Sequence, residues 1–398
     1  MDNDLVDRIK NFNAHRNQSV LPIKYNIIAQ NPFCFLRATC HLFYQDLLKN
    51  YPFDFSPLSW ICGDLHIENF GSYKGENRLL YFDMNDFDES ILAPILFEIA
   101  RLVVSVEIKC TQIKYSSEQK KEIIAKLLQQ YRNELINNKS QVVEQETATG
   151  LIKKLIDKVA ERKNMLIITR TNNKLNNAKL LITYNLLPIE ADKKKQLVTE
   201  FALWFTTNHH KGFKVTDAGF RIAGTGSIGI QRYLCLLQNE KNPKQKKLID
   251  IKQAAPSCIL NYTKLEQPVW QNEADRVVKT QQMMQHVSPA FLSAFNFDNN
   301  VYIVKQLQPT SDKIIIQKNT RQNGSMLNYV EDLAMVTASA QLRSSGRLQS
   351  ATADNLKEFA LNENWIKPLT EWSLHYAEIV QQNYNKYYNA WKAGYFKI

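Results

Sequence analysis

One block constrains this chain more than any other. Gly63-Asp64-Leu65-His66-Ile67-Glu68-Asn69-Phe70-Gly71 is followed by Tyr81-Phe82-Asp83-Met84-Asn85-Asp86. An Asp is followed by an Asn five residues on, and by a second Asp fourteen residues beyond that. The apolar runs Leu58–Cys62 and Leu79–Phe82 read as short strands beside a tight loop. Such supports hold polar oxygens rigidly, as a reactive site requires. The plain alternative is an acidic surface hairpin. His66, set inside the loop, and Asp83, set on the following strand, weigh against it.

Phosphoryl transfer of the kinase type needs those groups in that order. Asp64 is the candidate that orients or deprotonates an acceptor hydroxyl. Asn69 and Asp83 supply hard oxygen ligands for magnesium, with Asp86 as the alternative ligand. His66 is a candidate catalytic residue, either bracing the loop or carrying a proton.

The chain has 398 residues, more than one core usually holds, so two lobes are expected. Hydrophobic content of 44% and charged content of 22% describe an ordinary globular protein. There is neither a secretory h-region nor an apolar run of membrane-spanning length, and the start, Met1-Asp2-Asn3-Asp4, is acidic. A cytoplasmic protein without a membrane segment is expected. Cysteines 34, 40, 62, 110, 235 and 258 are scattered with no Cys-x-x-Cys pair, which argues for reduced thiols and against a zinc site. The net charge of +11 comes partly from lysine clusters at 193–195 and at 244, 246 and 247, which look like solvated turns. It requires no more than affinity for a polyphosphate ligand. No nucleic-acid motif accompanies it, so nucleic acid is not an expected partner.

Apolar residues at helical spacing (Phe33, Leu36, Cys40, Phe43, Leu47) predict a helix over 31–50. Further helices are expected over 91–108, 117–138, 146–163 and 191–205, with a polar loop at 169–179. The pattern changes near Lys211. Phe213–Ile222, Tyr233–Leu237 and Leu248–Lys252 read as strands, with more strand character at Val301–Leu307 and Lys313–Gln317 and a helix at Ala274–Met284. From Tyr329 to Lys392 the chain is again helical. The expected organisation is a helical lobe over 1–210, a β-rich lobe over 211–320, and C-terminal helices over 321–398 completing the helical lobe.

Gly224-Thr225-Gly226-Ser227-Ile228-Gly229 joins the first two of those strands. A lone glycine motif is weak, because dinucleotide folds share it. There the last glycine opens a helix. Here it leads into a strand, the arrangement in which backbone amides of Gly224, Thr225, Gly226, Ser227 and Gly229 cover nucleotide phosphates. Lys252, at the end of the third strand, is the candidate cation for those phosphates. A carboxylate holding that lysine is expected at Glu273, with Glu266 as competitor; a glutamate at a helix start is also favourable to the dipole. A β-hairpin with tight turns and a solvated lysine is the bland counterpart.

The motif order is reversed. In kinases the glycine loop and lysine precede the catalytic loop; here they follow it. Either both matches are chance or the fold is circularly permuted, which is tolerable when new termini fall in a loop. The segment Val330–Ser344, with Leu333, Val336, Ala340 and Leu342, resembles the helix that normally precedes the catalytic loop.

The sequence resembles the bacterial family called domain of unknown function 2252. The likeness is carried by Pro32-Phe33-Cys34-Phe35-Leu36-Arg37 with His41-Leu42-Phe43, by Gly63–Gly71, and by Phe82-Asp83-Met84-Asn85-Asp86-Phe87-Asp88-Glu89. Looser matches follow at Arg221, Gly224–Gly229, Gln253-Ala254, Arg276-Val277-Val278, Gln281 and Gln285, so the likeness runs from about residue 20 to 385. It implies an α+β, protein-kinase-like (aminoglycoside phosphotransferase-like) two-lobed fold, circularly permuted, with a helical large lobe and a small antiparallel β lobe. It implies nucleotide binding but no substrate. Two positions depart from the family pattern. The family's usual Asp in the segment 97–101 is represented only by Glu98, and a family histidine of the late helix is Gln341.

The leading expectation is an ATP- and magnesium-dependent phosphotransferase moving the γ-phosphoryl group to a hydroxyl. The Gly63-Asp64-Leu65-His66 form resembles the aminoglycoside and choline kinase branch, which favours a small acceptor over a protein. Arg37 would reach a phosphate or form a structural ion pair. A nucleotidyl (AMP) transferase would use the same residues. A pseudokinase holding nucleotide without turnover is the binding-module alternative, and an unrelated helical protein the remaining one.

Overall fold

The computed structural model describes residues 3–49, 56–162, 165–172, 174–208, 212–309, 312–317 and 324–397. Lys211, Lys163 and the boundary near 320 lie outside them. The fold is mixed α+β with antiparallel sheets.

In chain order, helices α1 (Asn3–Asn13), α2 (Leu21–Ile28), α3 (Pro32–Ala38) and α4 (Cys40–Leu47) lead into β1 (Leu58–Ile61). Strands β2 (Phe70–Lys74), β3 (Leu80–Met84) and β4 (Ile91–Pro94) follow, then α5 (Ile95–Gln112), α6 (Ser117–Asn137), β5 (Val143–Glu144), α7 (Gly150–Glu161) and α8 (Met165–Arg170). The second half holds β6 (Leu186–Leu187), α9 (Ala191–Asn208), β7 (Phe213–Arg221), β8 (Arg232–Asn239), β9 (Lys246–Gln253), α10 (Glu273–Met284), β10 (Ser293–Phe297) and β11 (Asn300–Gln306). Helices α11 (Ser325–Ser344), α12 (Ala353–Leu361) and α13 (Ile366–Lys392) close the chain. Among the described residues no helix is long and apolar enough to cross a membrane.

Several expectations need correction. The helix expected over 31–50 is two helices. Thr39 leaves helical geometry (φ −121°, ψ 43°) while its hydroxyl donates to the Phe35 carbonyl at 2.7 Å. The helix expected from Ile91 begins only after Pro94. Ile91–Pro94 pair antiparallel with β1, Ile61 opposite Ile91, and the proline then starts the helix where its missing N–H costs nothing. Lys313–Gln317 form no strand, whereas Ser293–Phe297 do, paired in a hairpin with β11.

Three sheets organise the described residues. β1–β4 and β2–β3–β5 frame the acidic block. The third runs β10-β11-β9-β8-β7-β6. Its β9 sequence Leu248-Ile249-Asp250-Ile251-Lys252 alternates, so successive side chains take opposite faces. Ile249 and Ile251 join Tyr233, Cys235, Tyr302 and Val304 in a core closed by Leu197, Phe201 and Phe205 of α9. Helix α9 therefore packs on the sheet, so this β-rich unit starts upstream of residue 211. Helix α10 instead contributes Ala274, Val277 and Met284 to the large helical core.

The opposite face of β9 carries the polar residues. Arg232 lies across from Lys252 on β8, and Lys305 across from Asp250 on β11. Asp250, almost wholly buried, accepts from Arg221 at 2.7 Å and from the Arg232 Nε at 2.9 Å. This stripe of charge faces the acidic block of the helical body.

Candidate active site

The loop after β1 is shaped by what surrounds it. Gly63 has φ +81°, and a Cβ there would lie 2.1 Å from the Glu89 carbonyl oxygen, so only glycine fits. Its own carbonyl accepts from the Tyr44 hydroxyl at 2.5 Å. The preceding Cys62 N–H donates to Glu98 Oε1 at 2.7 Å, and Glu98 Oε2 accepts from Gln341 at 3.1 Å. Tyr131 donates in turn to Gln341 Oε1 at 2.5 Å. The two positions that depart from the family pattern thus bond to each other and support the same loop. Burial pushes the Glu98 carboxyl up, against those donors.

Asp64 is held by Arg101, whose Nε donates to Oδ1 at 2.7 Å and whose Nη2 donates both to Oδ1 and to the Leu36 carbonyl. Arg101 is 0% exposed, whereas the Asp64 side chain is 22% exposed. Oδ2 makes none of these contacts. Burial raises the Asp64 carboxyl while Arg101 opposes the shift. The carboxylate is oriented, and its basicity is raised by burial, which is what a general base requires.

Asn69 joins the two acidic segments. Its Nδ2 donates to the Asp64 carbonyl at 2.9 Å, and its Oδ1 accepts from the Asp86 N–H at 3.1 Å. Asp86 then faces Lys252 of β9, Oδ1 to Nζ 3.4 Å, and Asp88 pairs with the same ammonium. Burial would raise the Asp86 carboxyl, but Lys252, Lys305 and Lys313 outweigh it and hold it well below the usual range. Burial, then Asp86, raises Asp88.

Two sequence candidates sit elsewhere. Asp83 faces Arg343 of α11, 3.2 Å away, and also accepts from the Met84 N–H at 2.8 Å. Burial pushes it up to about 6, with Arg343 opposing. Of the two carboxylates considered as the late metal ligand, Asp86 is the one at the lysine. Glu273 pairs with Arg276 at 2.6 Å, one helical turn along α10, rather than with Lys252. The carboxylates on Lys252 are instead Asp86 and Asp88. The helix-borne glutamate is corrected accordingly: its pairing is local, as a first-turn acid allows.

His66 accepts from the Glu68 N–H at 3.1 Å and sits edge-on to Phe33. Burial, then Arg37 and Lys313, hold its pKa well below 6.5. The neutral ring braces the loop. Glu68 clamps Arg37 at 3.0 Å and Lys109 at 2.7 Å, so Arg37 forms an ion pair. The glycine loop closes the β7–β8 hairpin, and its tip, Gly226, approaches the Arg37 carbonyl. Ser227 donates its N–H to the Gly224 carbonyl, and Thr225 lies in the same turn.

Two further lysines, Lys305 and Lys313, act on Asp86 beside Lys252. Lys305 donates to the Asn85 carbonyl at 3.2 Å, and neither Lys305 nor Lys313 has a carboxylate at ion-pair distance among the described residues. Burial, then Arg37, pushes Lys313 down to about 8. Among the described residues no three His, Cys, Asp or Glu side chains form a ready metal cluster. Magnesium needs none when substrate phosphates and one or two carboxylates complete its shell. Asp86 and Asp88, converging on one ammonium, fit that role.

Sequence reasoning gave no role to Arg101, Asp88, Lys305 or Lys313. Arg101 had a signal, a single arginine inside the apolar run Ile95–Val106. Lys305 and Lys313 had none, since their position depends on how the sheet docks.

No curated protein and no solved structure matches the chain. A family described as uncharacterised and conserved in bacteria, domain of unknown function 2252, matches residues 16–390. That span is nearly the whole length of the chain, which belongs to this family.

Proposed function

We propose that this chain is an ATP- and magnesium-dependent phosphotransferase with a circularly permuted, protein-kinase-like fold, acting on a hydroxyl of a small molecule. One observation carries the reading. Lys252, on a sheet strand, meets Asp86 in the acidic block 166 residues earlier, and Asn69 ties Asp86 to Asp64. A lysine, two metal-competent carboxylates and an oriented base around one cleft are the parts phosphoryl transfer uses. Lys305 and Lys313, with no carboxylate at ion-pair distance among the described residues, favour a polyanionic ligand. Helix α11 supports the permutation, since it reaches the catalytic loop through Gln341 as a helix preceding that loop would.

In this reading Asp64 orients the acceptor hydroxyl and takes its proton. Lys252 exchanges its carboxylate partners for nucleotide phosphates. Asp86, with Asp88 and Asn69 beside it, would hold magnesium, which neutralises charge developing on the phosphoryl oxygens when bound.

The test uses ATP labelled at the γ or the α phosphate, with a panel of hydroxylated acceptors. Transfer of γ label alone supports the reading, and transfer of α label replaces it with nucleotidyl transfer. No transfer, together with a melting curve unmoved by millimolar magnesium-ATP, removes it.

Affinity for the nucleotide should also depend on pH. Lys313 is depressed to about 8, so it is charged below that pH and neutral above it. The polyanion prefers the charged form. Affinity is therefore expected to be flat near neutrality and to fall, by up to tenfold per pH unit, above about pH 8. Titration calorimetry at pH 7, 8 and 9 on wild type and Lys313→Met checks this; the variant should bind more weakly, with no fall at alkaline pH.

A further inference from the structure

We propose that the N-terminal segment from Asn13 to Lys24 is a latch that holds the glycine loop over the cleft, with Arg16 and Lys24 as its positioning residues. The purpose assigned to the latch rests on the nucleotide-site reading above; its contacts do not.

The loop tip is gripped from one side. Arg16 Nη1 donates to the Gly226 carbonyl at 2.5 Å and to the Ile228 carbonyl at 3.0 Å. Lys24 Nζ donates to the same Gly226 carbonyl at 3.1 Å and to Asn13 Oδ1 at 2.8 Å. The Asn17 N–H donates to the Gly229 carbonyl at 2.9 Å. Gly229 has φ +93°, and a Cβ on it would lie 2.8 Å from the Arg16 Cβ, so the loop rests directly on the latch.

The cations doing this are out of place in a merely structural contact. Lys24 is 0% exposed. Neither Lys24 nor Arg16 has a carboxylate at ion-pair distance among the described residues. Both lie over the Phe12 ring, which stacks on His41 at 3.8 Å. Neither ring nitrogen of His41 has a hydrogen-bond partner among the described residues. Arg16 and Lys24 thus share one buried spot beside a neutral His41, with Glu89 acting on both only from beyond ion-pair distance, and burial pushes Lys24 well below its usual range; cations buried without a direct partner are costly. Carbonyl oxygens of the glycine loop are what Arg16 and Lys24 have instead. Their bonds are charge-assisted, and so stronger than neutral ones. An anion entering under the loop would add to the field of Glu89 and tighten the closure. Opening the loop for exchange must break these bonds together.

Amide hydrogen exchange on the full chain tests the latch, comparing wild type with Lys24→Met, Arg16→Gln and Gly229→Ala, free and with magnesium-ADP. Amides of 225–230 are expected to exchange about ten- to a hundredfold faster in each variant, as loss of one or two charge-assisted hydrogen bonds allows, with β8 and β9 amides unchanged. Magnesium-ADP affinity should fall by a similar factor, which an anchor unrelated to the ligand would not produce. Arg16→Gln removes the second grip and leaves Lys24 in place, so it decides the matter if Lys24→Met loosens the whole sheet, whereas Gly229→Ala also strains the loop itself at φ +93°. Unchanged loop exchange in Lys24→Met and Arg16→Gln overturns the proposal. If magnesium-ADP binds wild type nowhere, the nucleotide reading falls, and the ligand-free rates still decide the latch.

Discussion

Asp64→Asn is expected to lose phosphoryl transfer and to keep magnesium-ATP binding. Asp64 lies on the candidate catalytic loop, and its carboxylate is fixed by Arg101, not by Lys252. The amide keeps the shape and one acceptor oxygen but cannot take a proton. Turnover should fall by roughly 10²–10⁴, the usual worth of a positioned general base. Nucleotide affinity should change by less than about threefold, because the phosphates meet Lys252. A second effect comes with it. Arg101 is fully buried, and the substitution strips its counter-charge. Breaking a buried pair costs up to about 3–5 kcal/mol, and the retained acceptor should keep the loss at the lower end. Rates must be compared below the lowered melting temperature, with circular dichroism as control. Equal turnover in variant and wild type would sink the catalytic assignment and favour a binding module.

Asp86→Asn and Asp83→Asn should behave oppositely. Ligand that binds only the native state raises stability by mass action, about 2.7 kcal/mol at a hundred times its dissociation constant. In wild type, EDTA should remove most of the stabilisation given by magnesium-ATP. Asp86→Asn should abolish this EDTA-sensitive part, because Asp86 is one of the two carboxylates at Lys252 and the one tied to Asn69. Asp83→Asn should retain it. What that variant disturbs is the contact with Arg343, which ties β3 to α11. Thermal melts of the three proteins, with magnesium-ATP and with added EDTA, read the difference directly. The reverse pattern would return the metal-ligand role to Asp83.

The spacing of the candidate acids and the strand position of Lys252 were legible in the sequence; the side chains that hold them were not. Asp64, Asn69 and Asp86 belong to one stretch of chain, and their spacing is set by a loop and two short strands. Lys252 was legible because the alternation Ile249-Asp250-Ile251-Lys252 puts it on the polar face of a strand. Which of Asp83 and Asp86 meets Lys252 was not legible, for a definite reason. Spacing alone does not say which side of β3 faces the sheet and which faces α11. Glu273 failed similarly, since a glutamate at a helix start has a local partner three residues on, Arg276. The break at Thr39 and the strand at Ile91–Pro94 interrupt runs that are apolar throughout, and periodicity cannot divide such runs. Arg16 and Lys24 carry no motif at all; their role exists only once the β7–β8 hairpin folds back on them.

The pairing of Glu98 with Gln341 has a consequence for the order of events on the ribosome. The two residues are 243 positions apart, and Arg343 reaches Asp83 across 260. A chain emerging at about 5–20 residues per second exposes Glu98 roughly 12–50 seconds before its partner is made. During that interval the nascent protein already holds Asp64 and Asp86, and it gains Lys252 before Gln341 is made. It lacks the helix that completes the support under Gly63. A chain cut short before α11 carries every acid of the candidate site but lacks the contacts of Gln341 with Glu98 and of Arg343 with Asp83. The Gln341 support beneath the loop therefore forms only after α11 has been made.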